Sequence, residues 1–142
     1  MPTYTTDHTI AAEPEAVLEF LADPRAIARW SPVDFDVERS APLCSGATTK
    51  VCGRLAGCPV EFDVEVHEAS RERLALTATG PVGLDVSYRL QSSGCATRVE
   101  AAVSVARGRG LVGLALARAT EAMLAAGALR AAVGRIATEL EA

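Results

Sequence analysis

The sequence predicts an α+β fold, a curved antiparallel sheet wrapped around a long C-terminal helix with an apolar chamber between them. Three observations carry this expectation. Residues 10–32, IAAEPEAVLEFLADPRAIARWSP, hold a strand end, a capped helix and a second short helical piece that delivers the one tryptophan, Trp30. The middle of the chain alternates apolar and polar residues in segments recurring every ~10–12 residues, the spacing of an antiparallel meander. Everything after Gly110 is helical in composition.

Residues 4–11 are polar but β-prone and rich in threonine, which predicts an edge or rim strand. Glu13-Pro14-Glu15 then opens a helix, because proline is tolerated in the first turn and carboxylates complement the helix dipole there. Val17, Leu18, Phe20 and Leu21 supply its apolar face. Asp23-Pro24 ends it, since the residue before proline is pushed out of the α region. Residues 26–30 add one further helical turn, broken by Pro32.

From Val33 the period changes to two. Val33, Phe35 and Val37 alternate with Asp34, Asp36 and Glu38, giving a strand with one wet face. After a loop over residues 41–46, residues 48–55 form the next strand, and Ala56-Gly57 turns the chain. Val60, Phe62, Val64 and Val66 alternate with Glu61, Asp63, Glu65 and His67, the cleanest strand pattern present. Residues 73–79 follow, and Gly80-Pro81 makes another turn. Leu84, Val86, Tyr88 and Leu90 then alternate with Asp85, Ser87 and Arg89. After a turn at Ser92-Ser93-Gly94, the residues Val99, Ala101, Val103 and Val105 complete the last strand.

The C-terminal helix carries two apolar lines rather than one. Val112, Leu116, Ala119 and Met123 form the first, and Leu129, Val133, Ile136 and Leu140 the second. At ~100° per residue the two are offset by about a third of a turn. The change falls across Ala126-Gly127-Ala128, which predicts a kink or a close backbone approach at Gly127.

A chain of 142 residues has the size of a single domain, spanning residues 1–142, and can bury a genuine core. Hydrophobic residues make up 49% of it, chiefly Ala, Val and Leu. A net charge of −4 and a pI near 5.2 leave no electrostatic case for nucleic acid or an anionic membrane surface. No run reaches the ~18 charge-free apolar residues that a membrane span needs. The start, MPTYTTDHT, lacks a basic stretch followed by an apolar one, so a cytoplasmic location is expected.

The four cysteines, Cys44, Cys52, Cys58 and Cys95, show no C-x-x-C spacing and are remote in sequence from His8 and His67. Neither a metal site nor another cofactor is expected. Cys52 and Cys58 can face each other across a hairpin, but a reducing compartment opposes a stable bridge. Small strand-filling hydrophobes is the expectation for these residues.

This order of elements resembles the helix-grip superfamily that includes START lipid-transfer domains, Bet v 1-type proteins and polyketide cyclase/dehydrase proteins. Four marks carry the resemblance: the strand into Ala12-x-Pro14 with Val17 following, the Asp23-Pro24 stop, Trp30 before Ser31-Pro32, and Gly94-x-x-Thr97-Arg98-Val99 at the opening of the last strand. It implies a seven-stranded antiparallel sheet gripping the C-terminal helix, two short helices closing one end, and a cavity between sheet and helix. By the same resemblance Trp30 matches a tryptophan near the cavity mouth, and Gly94 and residues 97–99 match a structural turn and strand. Activities in the superfamily range over lipid and quinone carriers, aromatases and cyclases, hydrolases and co-chaperones, so fold alone does not choose among them.

The residues expected to line a ligand are Trp30, Phe35, Phe62, Leu76, Leu84, Val86, Tyr88, Leu116 and Met123. Catalytic candidates are three. Tyr88 lies among apolar residues, so its hydroxyl either finds a partner or projects into the cavity. Arg54, if its strand turns it inward, would polarise a carbonyl or hold an enolate. His8 is a general base if its strand faces the chamber and a solvated histidine otherwise. His67, on the acidic face of its strand, is expected to be exposed. No Ser-His-Asp set, paired carboxylates or metal cluster can be assembled from the sequence.

The first reading is therefore a protein that holds a hydrophobic small molecule, polyketide-, quinone- or lipid-like, as carrier or binding protein. A polyketide cyclase or aromatase acting on a bound intermediate is the alternative. A protein-interaction module with a non-functional cavity is the third. A homodimer through the exposed edge at residues 5–9 is the one protein partnership the pattern offers. Trp30→Ala is expected to weaken ligand binding in a titration, and full affinity in that variant would remove Trp30 from the site.

Overall fold

A computed structural model describes residues 3–23, 34–37, 44–55, 58–106 and 110–141. In chain order the elements are β1 (Thr3–Ile10), α1 (Pro14–Ala22), β2 (Asp34–Val37), β3 (Thr48–Leu55), β4 (Cys58–Ala69), β5 (Arg73–Thr79), β6 (Gly83–Ser93), β7 (Ala96–Ala106), α2 (Gly110–Ala125) and α3 (Ala128–Glu141). The period-two segments become one antiparallel sheet of seven strands in the order β1-β7-β6-β5-β4-β3-β2. Every strand pairs with its chain neighbour except β1, which lies beside β7 and so joins the two ends of the chain. The architecture is α+β, a curved antiparallel sheet with three helices among the described residues.

Register explains the two faces. Residues opposite one another across a ladder project to the same side of the sheet. One row runs Thr49, Val64, Ala78, Leu84 and Val105, and the next runs Val66, Leu76, Val86 and Val103. Shifted by one residue, the row Thr48, Glu65, Thr77, Asp85 and Ser104 is polar throughout. The alternation thus yields an apolar inner face and a wet outer one, and a one-residue slip would exchange them. An irregularity in β4 between Val66 and Glu68 places His67 at a bulge, a feature that bends and twists a strand.

The strands outrun their apolar cores. Pairing of β6 with β7 continues to Ser93 and Ala96 because Gly94, at φ 66°, adopts the left-handed conformation of a tight hairpin turn. At the other end of the chain, α1 starts as expected, with Pro14 in its first turn and Glu15 beside it. Glu13 is extended and makes no side-chain cap, so Pro14 and the dipole do the initiating. Asp23 has returned to an extended conformation, as a residue before proline must. Val17, Leu21 and Ala22 are buried where α1 meets β5, β6, β7 and α3. The expected second short helix, residues 26–30, lies outside the described residues.

The single long C-terminal helix is corrected to two, bent by 58°. The break falls at the position where the apolar lines change phase. Gly127 sits at φ 98°, its N–H bonds to the Leu124 carbonyl, and its own carbonyl accepts from Ala131 to restart the helix. On α3 the buried residues Leu129, Val133 and Ile136 are those of the second line. On α2 the expected line is rotated. Gly113, Leu116, Ala117, Thr120 and Leu124 are buried, whereas Val112 is 68% exposed and Ala119 and Met123 are half-buried. The helix is apolar nearly all round, so periodicity had little contrast with which to choose a face. Thr120 can be buried because its hydroxyl donates to the Leu116 carbonyl at 2.8 Å.

The cysteines also differ from expectation. Cys44, Cys52 and Cys95 are exposed, since Cys52 falls on the outer register opposite Glu61 and Cys95 sits in the β6–β7 turn. The backbone of Cys58 pairs with Leu55, so Cys52 and Cys58 do not oppose each other.

A Cβ added at Gly127 would meet nothing within 4 Å, so any penalty there is conformational. Gly127→Ala should cost about 1 kcal/mol through left-handed strain, read as a lowered midpoint in urea denaturation. An unchanged midpoint would mean that the glycine conformation does not hold the bend.

Candidate functional site

The inner face shows a reversed gradient of burial. In a closely packed sandwich, the middle of the sheet is its driest part. Here the flanking residues Val66, Leu74, Val99 and Val105 are sealed at 2% exposure or less. Leu76, on the middle strand β5, and its neighbours Leu84 and Val86 on β6 are only half-buried, although register turns them to the same face. Met123 and Leu114 on α2 are half-buried as well. α2 packs on β7, and α3 lies chiefly along β1.

The other expected lining residues are distributed as follows. Phe62 is buried, and its ring lies so close to Gly80 that a Cβ there would stand 2.8 Å from the ring. Leu116 is buried on α2. The backbone of Phe35 pairs with Gly53 in β2, and its side chain lies outside the described residues, as does Trp30. Tyr88 is buried between Leu74 and Ala101, and desolvation pushes its phenol well above the ordinary value near 10. It is a neutral hydrogen-bonding group across the physiological range.

The three catalytic candidates do not converge. Arg54 is exposed on the outer register, opposite Asp34 and Pro59, so the inward strand on which its candidacy depended is not formed. His8 occupies an inner-face position opposite Val99 but is exposed, because β1 is the edge strand. Tyr88 alone is buried, and among the described residues it is the one buried group able to ionise in water.

Three threonine hydroxyls differ in how they are satisfied. Thr97, fully buried, donates to the Ala12 carbonyl at 2.6 Å. Thr120 bonds within its own helix. Thr49 has a buried hydroxyl oxygen with no hydrogen-bond partner. The signal for Thr49 was its alternation with Val51, which puts it on the inner face.

The outer face holds an open groove of about 500 Å³ along β3, β4 and β5, lined by Thr48, Thr49, Lys50, Asp63, Val64, Glu65, Thr77 and Thr79. Beside it Thr77 donates to Asp85 at 2.8 Å, so His67 Nε2 must donate to Thr77 across their 2.7 Å contact. This polar groove lies on the side of the sheet opposite the apolar floor. Among the described residues, no three His, Cys, Asp or Glu side chains are placed to hold a metal ion.

Tyr88 generates a pH prediction. Because its folded-state pKa is raised, the associated stability is intact below about pH 10 and is lost as pH rises above that value, with a slope approaching 1.4 kcal/mol per unit. In urea denaturation between about pH 9 and pH 11.5, Tyr88→Phe should decline less steeply than the parent. Equal slopes would assign the alkaline loss to other groups.

Comparison with known proteins agrees with this geometry. The profile of a family described as polyketide cyclase/dehydrase and lipid transport matches residues 1–141. An aromatase/cyclase from Streptomyces sp. R1128 superposes with a TM-score of 0.73 at 19% identity, over 99% of this chain and 93% of its own. A START superfamily protein from Mycobacterium smegmatis gives 0.68 at 14% identity, over 98% and 97% of the two chains. DynU16, a protein of the dynemicin biosynthetic locus, gives 0.66 at 26% identity, and there this chain's 98% spans only 47% of the longer one. No curated protein matches the chain. The sheet order, the broken C-terminal helix and the end-to-end profile match lead to one assignment: the chain belongs to the polyketide cyclase/dehydrase and lipid transport family.

Proposed function

We propose that this protein holds an apolar small molecule, polyketide-, quinone- or lipid-like, between the inner face of the sheet and α2, as a carrier or binding protein. The observation that carries the reading is the half-buried apolar patch of Leu76, Leu84 and Val86 in the middle of the inner face. Apolar side chains left partly accessible at a sheet centre are stabilised when a ligand removes them from water, at about 25 cal/mol per Å². The family's description, which joins polyketide chemistry with lipid transport, supports a hydrophobic occupant.

A cyclase reading is second. It is favoured by the likeness to an aromatase/cyclase and by Tyr88, a buried phenol that stays neutral. General acid–base catalysis also needs a group that accepts the proton. The other two candidates, Arg54 and His8, stand exposed and apart from Tyr88, so binding is placed first.

The test is native mass spectrometry of protein purified from its own organism, followed by organic extraction. A retained aromatic, quinone or lipid identifies the occupant class, and its alteration on incubation would move the cyclase reading to first place. An empty protein that also fails to bind hydrophobic dyes would overturn both and favour an interaction module.

Val86→Phe adds a ring to the patch. It should weaken binding of N-phenyl-1-naphthylamine at least ~10-fold while leaving Tm nearly unchanged, because the ring enters free space. If the patch is already packed, the variant should instead lose about 1–3 kcal/mol of stability with dye binding unaltered.

A further inference from the structure

We propose that Arg73 and Arg89, with Ser87 beside them on the outer face, form a binding site for a phosphoryl group. The site faces away from the apolar patch and does not depend on the binding reading above.

Arg73 on β5 and Arg89 on β6 are direct ladder partners, and both are exposed. The Leu90 N–H donates to the Glu72 carbonyl at 2.8 Å, which makes residues 72 and 90 a hydrogen-bonded rung. Arg73 and Arg89, one residue further, therefore form the closer, non-hydrogen-bonded kind of rung, with Cβ atoms about 4.5–5.5 Å apart. Like charges directly opposite one another are destabilising. Nearby arginines are relieved by carboxylates, Arg71 by Glu15 and Arg98 by Asp7. Neither Arg73 nor Arg89 makes an ion pair among the described residues. The acidic groups closest in register are engaged elsewhere. Glu100, opposite Arg89 on β7, turns to Arg98 at 3.6 Å, and Glu68, opposite Ala75 on β4, accepts from the Ser70 hydroxyl at 2.8 Å.

The next row on the same face supplies a third donor. It runs Ala75, Ser87 and Ala102 across β5, β6 and β7, a floor of short side chains beside the longer arginines. Ser87 is half-buried, and its hydroxyl makes no hydrogen bond to the protein among the described residues. Asp85, two residues before it, accepts from Thr77 at 2.8 Å and bounds the site on the far side. Each guanidinium offers a planar fork of N–H donors, and Ser87 adds one O–H. A phosphoryl group presents three oxygens, one for each of these donors, whereas a carboxylate presents two. The chain carries a net charge of −4, so an anion is drawn by this pair and not by the general field of the molecule.

The experiment is thermal melting in inorganic pyrophosphate against sodium chloride of matched ionic strength. The parent Tm should rise by about 4 °C at about 10 mM pyrophosphate, the shift of a millimolar site. Arg73→Gln and Arg89→Gln should each lose more than half of that rise, and Arg118→Gln, exposed on α2, should keep all of it. In dilute buffer without phosphate, neither Arg73→Gln nor Arg89→Gln should melt below the parent, because each removes one member of an opposed like-charge pair. No rise in the parent, an undiminished rise in Arg73→Gln and Arg89→Gln, or an equal loss in Arg118→Gln would overturn the site. A lower Tm for either variant in dilute buffer would also overturn it, by showing that the guanidinium is already paired within the fold. Flotation with vesicles of phosphatidylcholine and phosphatidic acid in equal parts separates the sources. Flotation that Arg89→Gln abolishes assigns the phosphoryl group to a lipid headgroup, and its absence beside an intact pyrophosphate response assigns it to a soluble phosphate.

Discussion

The turn at residues 11–12 is the joint on which the sandwich closes. β1 ends at Ile10, fully buried, and the chain must leave the sheet at once to begin α1. Three hydrogen bonds fix that departure. The Ala12 N–H reaches back to the Ile10 carbonyl at 2.8 Å, and the Ala12 carbonyl accepts from buried Thr97 on β7 at 2.6 Å. The Ala11 N–H donates to the Glu141 carboxylate at the end of α3, at 3.1 Å. A backbone group buried here without a partner would cost about 1–3 kcal/mol, so the chain ends and the last strand are tied through one dipeptide. The angle so set brings Val17 and Leu21 down between the sheet and α3, and α3 along β1.

The outer face secures the register that the inner face needs. Lys50–Glu61, Arg98–Asp7 and Arg71–Glu15 are ion pairs between side chains roughly half to three-quarters exposed. Such pairs contribute between nothing and about 1 kcal/mol each. Arg98 is held in its charged form first by its hydrogen bond to Asp7 and then by the charges of Asp7 and Glu100. What these groups supply is direction. Slipping a strand by one residue would bury Lys50, Asp63 and Glu65 and expose Val51, Phe62 and Val64, a cost far above that of any surface pair.

Strands were legible because one face of each is wet. Residues 48–55 and 73–79 coincide with β3 and β5, and β4 differs only in its ends. The helix after Gly110 was harder. Its composition announced helix and the phase change announced Gly127, but a surface apolar nearly all round could not reveal which residues of α2 turn inward. The cysteines were misjudged because residue type was weighed over register, which sends Cys52 outward beside Glu61. The hydrogen bonding of Thr49 and Thr97 was hidden for a further reason. In a strand, threonine passes for an ordinary β-former, and only the packed structure shows that one hydroxyl has a carbonyl to meet and the other has none.

That difference bears on how a single fold serves carriers and cyclases alike. An apolar interior raises the value of each hydrogen bond inside it and penalises each charge. Tyr88 illustrates both effects, since the burial that makes its phenol a good donor also suppresses its ionisation. Neutral hydroxyls can orient an oxygen-bearing molecule without changing it. Orientation is already a large part of ring closure, because holding a flexible chain folded removes the entropy that opposes the reaction. The step from carrier to cyclase then requires a proton acceptor within reach of the oriented carbon. The exposed positions of Arg54 and His8 do not provide one, and this is the physical ground for ranking binding ahead of catalysis.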